Sequence, residues 1–275
     1  MKTLFFGTSG FAVPSLRVVA HRTQCAGVVT QPDRPAGRGH RLRSSPVKSA
    51  ALELGLRIYE PLRLREFARE IAPQDFDLFV LASYGRILPP ELLTLPRLGA
   101  LNVHPSLLPK YRGATPIQGA ILHGERETGV SIMLMDAGLD SGDVVLARRL
   151  EIGPSETYGE LHDRLAELGA ELLGECLALA ERENIVAHPQ LGEPSLTRPI
   201  VRDDLEIDWS WDPERIVRTV RAYAPQPAAR ADIDGVVVKV VRAHANAGEV
   251  VIDELIAPNR GRMSGETYRR SRDKG

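Results

Sequence analysis

Four short stretches, Leu4 to Phe6, Cys25 to Val29, Leu78 to Ala82 and Ala100 to Val103, are apolar at nearly every position. A strand with one wet face alternates apolar and polar residues, so runs without alternation belong to strands covered on both sides. Between the first two, Phe11 to Ala20 follows helical spacing. Strands alternating with helices predict a parallel sheet with right-handed crossovers, an α/β doubly wound, Rossmann-like fold. Val130 to Leu134 and Val144 to Leu150 are expected as later strands, antiparallel at the far side of the sheet. Glu156 to Arg182 is the longest helical pattern, with leucines at 161, 165, 168, 172 and 173 on one stripe.

At 275 residues the chain has room for a large domain and a smaller one. The periodic pattern dissolves around 183–202, where His188-Pro189-Gln190-Leu191-Gly192-Glu193-Pro194-Ser195 reads as a linker. This predicts a first domain over 1–182 and a second over 203–275. In the second, Pro213 to Tyr223 reads as a helix, with Ala231 to Ile233, Val236 to Val241 and Glu249 to Leu255 as short strands.

The net charge of −1 argues against a chain that coats nucleic acid over its whole surface, while leaving room for a local basic patch. Cys25 and Cys176 are too few for a disulfide framework, and no Cys/His spacing suggests a metal site. The first apolar run is too short for a signal-peptide core and no later one approaches a membrane span, so a cytoplasmic protein with no membrane partner is expected.

The stretch richest in chemistry is Asn102-Val103-His104-Pro105-Ser106-Leu107-Leu108-Pro109-Lys110-Tyr111-Arg112-Gly113. It follows a buried strand, and open parallel sheets bind ligands at the carboxyl ends of their strands. Asn102 and His104 are two apart and face the same way on an extended backbone. An amide donor beside an imidazole suits a developing oxyanion and a proton in transit. Downstream, Met135-Asp136-Ala137-Gly138-Leu139-Asp140-Ser141-Gly142-Asp143 sets three carboxylates among turn residues, which by itself describes an ordinary solvated loop.

Together, Asn-x-His-Pro-Ser-Leu-Leu-Pro and Gly-Leu-Asp-Ser-Gly-Asp resemble the folate-dependent formyltransferase family. The resemblance runs from Phe5 to about Tyr223 and returns near Arg262-Met263-Ser264. It implies a catalytic trio of Asn102, His104 and Asp140, with 10-formyltetrahydrofolate as donor and no metal. It implies folate contacts from Ser106, Leu107, Leu108 and Pro109, and from Gly85, Ile87 and Leu88 of Ala82-Ser83-Tyr84-Gly85-Arg86-Ile87-Leu88-Pro89.

Thr30 to Lys48 is similar to the insertion loop of family members that act on initiator methionyl-tRNA. Arg34, Arg38, Arg41, Arg43 and Lys48 would meet phosphates, with Phe11 near the acceptor. The resemblance implies a monomer with an OB-like second domain, shortened here because few strands are visible after Ala243. Two rival readings are a formyltransferase with an amino-sugar nucleotide as acceptor, and a non-catalytic tRNA-binding relative.

Overall fold

A computed structural model describes residues 1–36 and 41–272, with the backbone alone at 34–36 and 41–43. The chain runs β1 (Lys2–Gly7), α1 (Ala12–Arg22), β2 (Gln24–Val29), β3 (Arg34–Ala36), β4 (Arg41–Arg43), α2 (Pro46–Glu53), β5 (Ile58–Tyr59) and α3 (Leu64–Ile71). It continues with β6 (Leu78–Ala82), α4 (Pro90–Leu93), β7 (Ala100–His104), β8 (Arg112–Gly113), α5 (Pro116–Leu122), β9 (Glu127–Leu134), β10 (Val144–Glu151) and α6 (Tyr158–Glu181). After β11 (Leu196–Thr197) come α7 (Pro213–Tyr223), β12 (Ala229–Ile233), β13 (Val236–Asn246), β14 (Glu249–Ala257), β15 (Gly261–Ser264) and α8 (Gly265–Arg272).

Contacts divide the chain into two units: Met1–Gly113 with Gly129–Leu150 and Asp163–Leu196, and Ala114–Thr128 with Glu151–His162 and Thr197–Gly275. The division is interleaved along the sequence. Residues 188–195, which read as a linker, are held inside the first unit, where Val144 and His188 exchange backbone hydrogen bonds of 2.8 and 2.9 Å.

In the first unit the sheet order is β10-β9-β7-β6-β1-β2-β5. β1 is parallel to both β2 and β6, β6 is parallel to β7, and β9 is antiparallel to β7. The chain leaves β1 toward β2 and β5, then returns to β6 on the other side of β1. That reversal is a topological switch point, and it opens a crevice at the carboxyl ends of β1 and β6. Leu78 to Ala82 is buried at every position, as its unbroken apolar run requires. Phe6 and Phe79 meet with ring centroids 5.2 Å apart, and Tyr84 stands edge-on to Phe6. Each such side chain contributes about 1.5–3 kcal/mol by leaving water.

Two helices have clear local causes. Ser45 caps α2 by accepting from the Lys48 N–H at 3.0 Å, and Pro46 fills the first turn where no N–H is needed. Thr157 and Glu160 form a reciprocal capping box at the start of α6.

The second unit carries a four-stranded antiparallel sheet in the order β12-β13-β14-β15. Ile216, Val220 and Tyr223 of α7 share its core with Val238, Val240, Leu255 and Tyr268. Asn246 pairs with Glu249 across the two-residue turn Ala247-Gly248, both at positive φ, so one strand passes directly into the next. An OB barrel has five strands closed on themselves, and the four described strands form the shortened version that the sequence suggested.

Candidate active site

β7 delivers Asn102 and His104 to the carboxyl edge of the first unit's sheet, and the loop after β9 delivers Asp140 to them. The Asn102 amide donates to Asp140 Oδ1 at 3.3 Å, and His104 Nδ1 lies 3.7 Å from Asp140 Oδ2. Gly113 N–H donates to the same Oδ2 at 2.8 Å. Asp140 sits at φ 47°, a left-handed conformation that Asp tolerates better than most residues. Of the three carboxylates in its loop, Asp136 is spent locally, accepting from Gly138 N–H at 2.9 Å and from Ser141 Oγ. Asp140 turns inward.

His104 is only 4% exposed. Its Nε2–H donates to the Tyr111 carbonyl at 3.0 Å, which leaves the Nδ1 lone pair on the Asp140 side. Burial is the largest influence and pulls the imidazole below its ordinary value of 6.5, while Asp140 and the Tyr111 carbonyl pull the other way. The resting ring is therefore neutral at neutral pH. The physical reason is that one nearby carboxylate does not repay the lost hydration of a buried cation.

This depressed value has a consequence for stability. Below 6.5 the unfolded chain binds a proton at His104 that the folded chain resists, so this contribution is present above 6.5 and is lost as pH falls toward the lower folded value. The expected result is a Tm that drops with acidification below about pH 6.5, with a shallower drop in His104→Gln, followed by calorimetry over pH 5–8.

Three residues that sequence reading passed over hold the site. Gln190 Nε2 donates to the carbonyls of Asp140 and Gly142, both at 2.8 Å. Arg112 grips the Gln190 oxygen from Nε and Nη2 at 3.0 and 2.7 Å. Ser195 Oγ accepts from Tyr111 N–H at 2.8 Å. Gln190 and Ser195 lie in the stretch that looked like a linker, and no local pattern ties them to partners 50 and 84 residues earlier.

Gly142 is required by space. A Cβ there would lie 1.8 Å from the Leu134 carbonyl oxygen, a backbone atom that cannot move alone. Gly142→Ala is expected to cost more than about 3 kcal/mol, or to prevent folding, as measured by urea unfolding.

The residues expected to hold folate divide into two kinds. Ser106 is fully buried, and its hydroxyl donates to the Lys110 carbonyl at 2.6 Å, so its side chain shapes the turn. Leu107 and Leu108 are half-buried and Pro109 is buried, with Leu108 N–H donating to Ser131 Oγ at 3.1 Å. In the loop after β6, Gly85 is exposed, Ile87 is 81% exposed and Leu88 belongs to the core. Thr8 and Ser9 of the loop after β1 bond back to Ser83, which joins the two loops across the switch point.

Among the residues expected near the acceptor, Arg38 lies outside the described residues, together with Gly37, His40 and Gly39. Arg34, Arg41 and Arg43 lie on the paired strands β3 and β4, with Arg34 opposite Arg43. Phe11 is 3% exposed, so its ring is a core element. Lys48, expected at a phosphate, has its charge already matched. Its Nζ lies 2.9 Å from both Asp33 and Glu60, and Glu60 first, then Asp33, hold the ammonium above the ordinary lysine value. It fastens the foot of the basic loop to the segment after β5.

A sheet of this topology with an Asn, His and Asp at its carboxyl edge invites comparison with known proteins. The formyl transferase model matches residues 1–177, and the formyl transferase C-terminal domain model matches 199–272. The chain belongs to the formyl transferase family. Family members include the methionyl-tRNA formyltransferase of Heliobacterium modesticaldum, 46% identical over 88% of this chain and 78% of its own length. Among solved structures, an N-formyltransferase from Helicobacter canadensis, in complex with folinic acid and dTDP-3-aminofucose, shares the fold with TM-score 0.70 at 18% identity, covering 94% of this chain and 95% of that one. The methionyl-tRNA formyltransferase of Clostridium thermocellum aligns with TM-score 0.63 at 17% identity, covering 94% of this chain and all of that one. No helix among the described residues is long and apolar enough to cross a membrane.

Proposed function

We propose that this chain transfers the formyl group of 10-formyltetrahydrofolate to the amine of initiator methionyl-tRNA, acting as a monomer in the cytoplasm. The convergence of Asn102, His104 and Asp140 at the edge of β7 carries this reading. Relatives named for methionyl-tRNA, 46% and 44% identical over most of the chain, favour this acceptor over a sugar nucleotide. Folate supplies an activated formyl group on a nitrogen that can leave. Exposed Gly85 and Ile87 offer backbone polar groups and an apolar contact for its ring, with Leu107, Leu108 and Pro109 along the opposite loop.

The residues divide the chemistry among themselves. Asn102 spends one N–H on Asp140 and donates the other to the formyl oxygen as negative charge builds there. Neutral His104 takes the amine proton on Nδ1 as the new C–N bond forms. The resulting imidazolium lies between two acceptors, Asp140 and the Tyr111 carbonyl, which offset its desolvation. His104 then gives that proton to the departing folate nitrogen and returns to its neutral state.

Arg34, Arg38, Arg41 and Arg43 meet backbone phosphates, while Lys48 positions their loop through Asp33 and Glu60. Phosphate contacts make binding salt-dependent. The KM for methionyl-tRNA is expected to rise at least about tenfold between about 50 and 200 mM salt, and Arg41→Glu should lower that slope by about one. An amino-sugar nucleotide offered in place of tRNA should remain unformylated. Efficient formylation of the sugar nucleotide, with no formylmethionine released from tRNA, would overturn the acceptor.

A further inference from the structure

The loop after β1, the loop after β6 and the root of the basic loop meet at one carbonyl. The Tyr84 oxygen accepts from Thr8 Oγ at 2.9 Å and from Gln31 Nε2 at 2.8 Å. Gln31 is half-buried, and its backbone N–H donates to Thr8 Oγ at 3.4 Å. Its amide also lies against Gly85, where a Cβ would stand 2.7 Å from Nε2. The root that carries Gln31 is itself clasped. Thr30 N–H donates to the Tyr59 carbonyl at 3.0 Å, and the Thr30 and Ser45 hydroxyls share a hydrogen bond of 2.8 Å.

Two donors on one carbonyl fix the plane of the Tyr84–Gly85 peptide. In a trans peptide the N–H points opposite to the C=O, so the Gly85 N–H is aimed away from Gln31 and Thr8. Gly85 is exposed and is one of the residues against which folate is placed. Gln31 therefore helps to set the direction of a backbone donor on the folate loop. It also lies just before Arg34, which opens β3 and pairs with Arg43 of β4. One residue touches the donor loop with its side chain and leads by its backbone into the strands offered to phosphate.

We propose that Gln31 is a positioning residue that couples the two substrates, so that tRNA held on the basic strands raises the affinity for folate. The proposal rests on the placements of folate at Gly85 and of tRNA phosphate at Arg34, Arg41 and Arg43 given above. An acceptor held on β3 and β4 restrains the Gln31 backbone. That keeps the amide on the Tyr84 carbonyl and the Gly85 N–H in its direction. Folate then orders less of the loop on binding, and by linkage it returns the same advantage to tRNA. Thr8 holds the same carbonyl from the loop after β1 and leads into neither β3 nor β4, so its contribution is the same with and without tRNA.

Titration calorimetry of the full chain with tetrahydrofolate, alone and saturated with initiator methionyl-tRNA, tests this. Tetrahydrofolate carries no formyl group, so the two ligands bind without reacting. Folate is expected to bind about fivefold tighter with tRNA present, the scale of one hydrogen bond, and tRNA about fivefold tighter with folate present. Gln31→Met keeps the side chain's length, removes its donor and should abolish that advantage. Gln31→Glu, which at neutral pH cannot donate to a carbonyl, should give the same loss and keeps the test open should the methionine variant misfold. Thr8→Val should weaken folate binding equally with and without tRNA and keep the advantage. In turnover, Gln31→Met should raise the KM for 10-formyltetrahydrofolate about fivefold at saturating methionyl-tRNA, with kcat unchanged. Equal folate affinity with and without tRNA in the unaltered chain would overturn the proposal, as would an advantage that survives both Gln31 variants. Loss of the advantage in Thr8→Val as well would make Gln31 a mere support of the loop and overturn it too. Failure of the unaltered chain to bind one of the ligands would sink the substrate placements themselves, and this proposal with them.

Discussion

His104→Ala is expected to lower kcat by about 10²–10⁴-fold with little change in the KM for methionyl-tRNA. The substitution removes the group that carries the proton from amine to leaving nitrogen, and leaves the basic loop untouched. The ring is 4% exposed and bonded to the Tyr111 carbonyl, so its removal also opens a small cavity. His104→Gln fills that space and separates the two effects: stability should recover while kcat stays low. Asp140→Asn completes the set. It keeps a side chain of similar shape but withdraws the charge that favours imidazolium, so kcat should fall and the acid limb of its pH profile should shift. Steady-state kinetics across pH 5.5–8.5 reads all three.

Asn102→Ala should cost about 10²–10³-fold in kcat, the usual effect of deleting one donor to a developing oxyanion. Asn102→Asp gives a sharper result. The amide nitrogen now lies 3.3 Å from Asp140 Oδ1, so a second carboxylate there would face the first at hydrogen-bond distance. Two carboxylates so placed cannot both ionise easily, and one is held protonated well above its ordinary value. The variant should be nearly silent at neutral pH and gain activity on acidification, as long as the fold survives. Activity at wild-type level near pH 8 would mean that Asn102 does not donate to the reacting oxygen.

The sequence exposed the parts of this molecule that rest on local periodicity. Leu78 to Ala82 and Pro213 to Tyr223 match observed elements at both ends, because a buried strand and a proline-started helix each leave an uninterrupted signature. The short helices α2 and α3, eight residues each, left too few turns for a clear pattern. The Ser45-Pro46 pair that starts α2 was a usable capping signal, and it shows why Lys48 belongs to a helix rather than to the free basic loop.

In the site, spacing placed Asn102 and His104 side by side, and the family resemblance supplied Asp140. What stayed hidden was supplied by backbone atoms and distant residues. The Tyr111 carbonyl that fixes the His104 tautomer carries no sequence signature. Gln190 reaches Asp140 only through the folded path of the chain. Phe11 shows the opposite limit, since an aromatic beside a glycine turn fits a ligand wall and a core equally well until its burial is known.

The central claim is that Asn102, His104 and Asp140 together move a formyl group from folate to the methionine amine on tRNA. The most direct measurement is single-turnover formation of formylmethionyl-tRNA from 10-formyltetrahydrofolate, by the unaltered chain and by Asn102→Ala, His104→Gln and Asp140→Asn. The account predicts product from the unaltered chain and rates at least about a hundredfold lower from each folded variant. Absence of product from the unaltered chain, or variants that react at its rate, would contradict it.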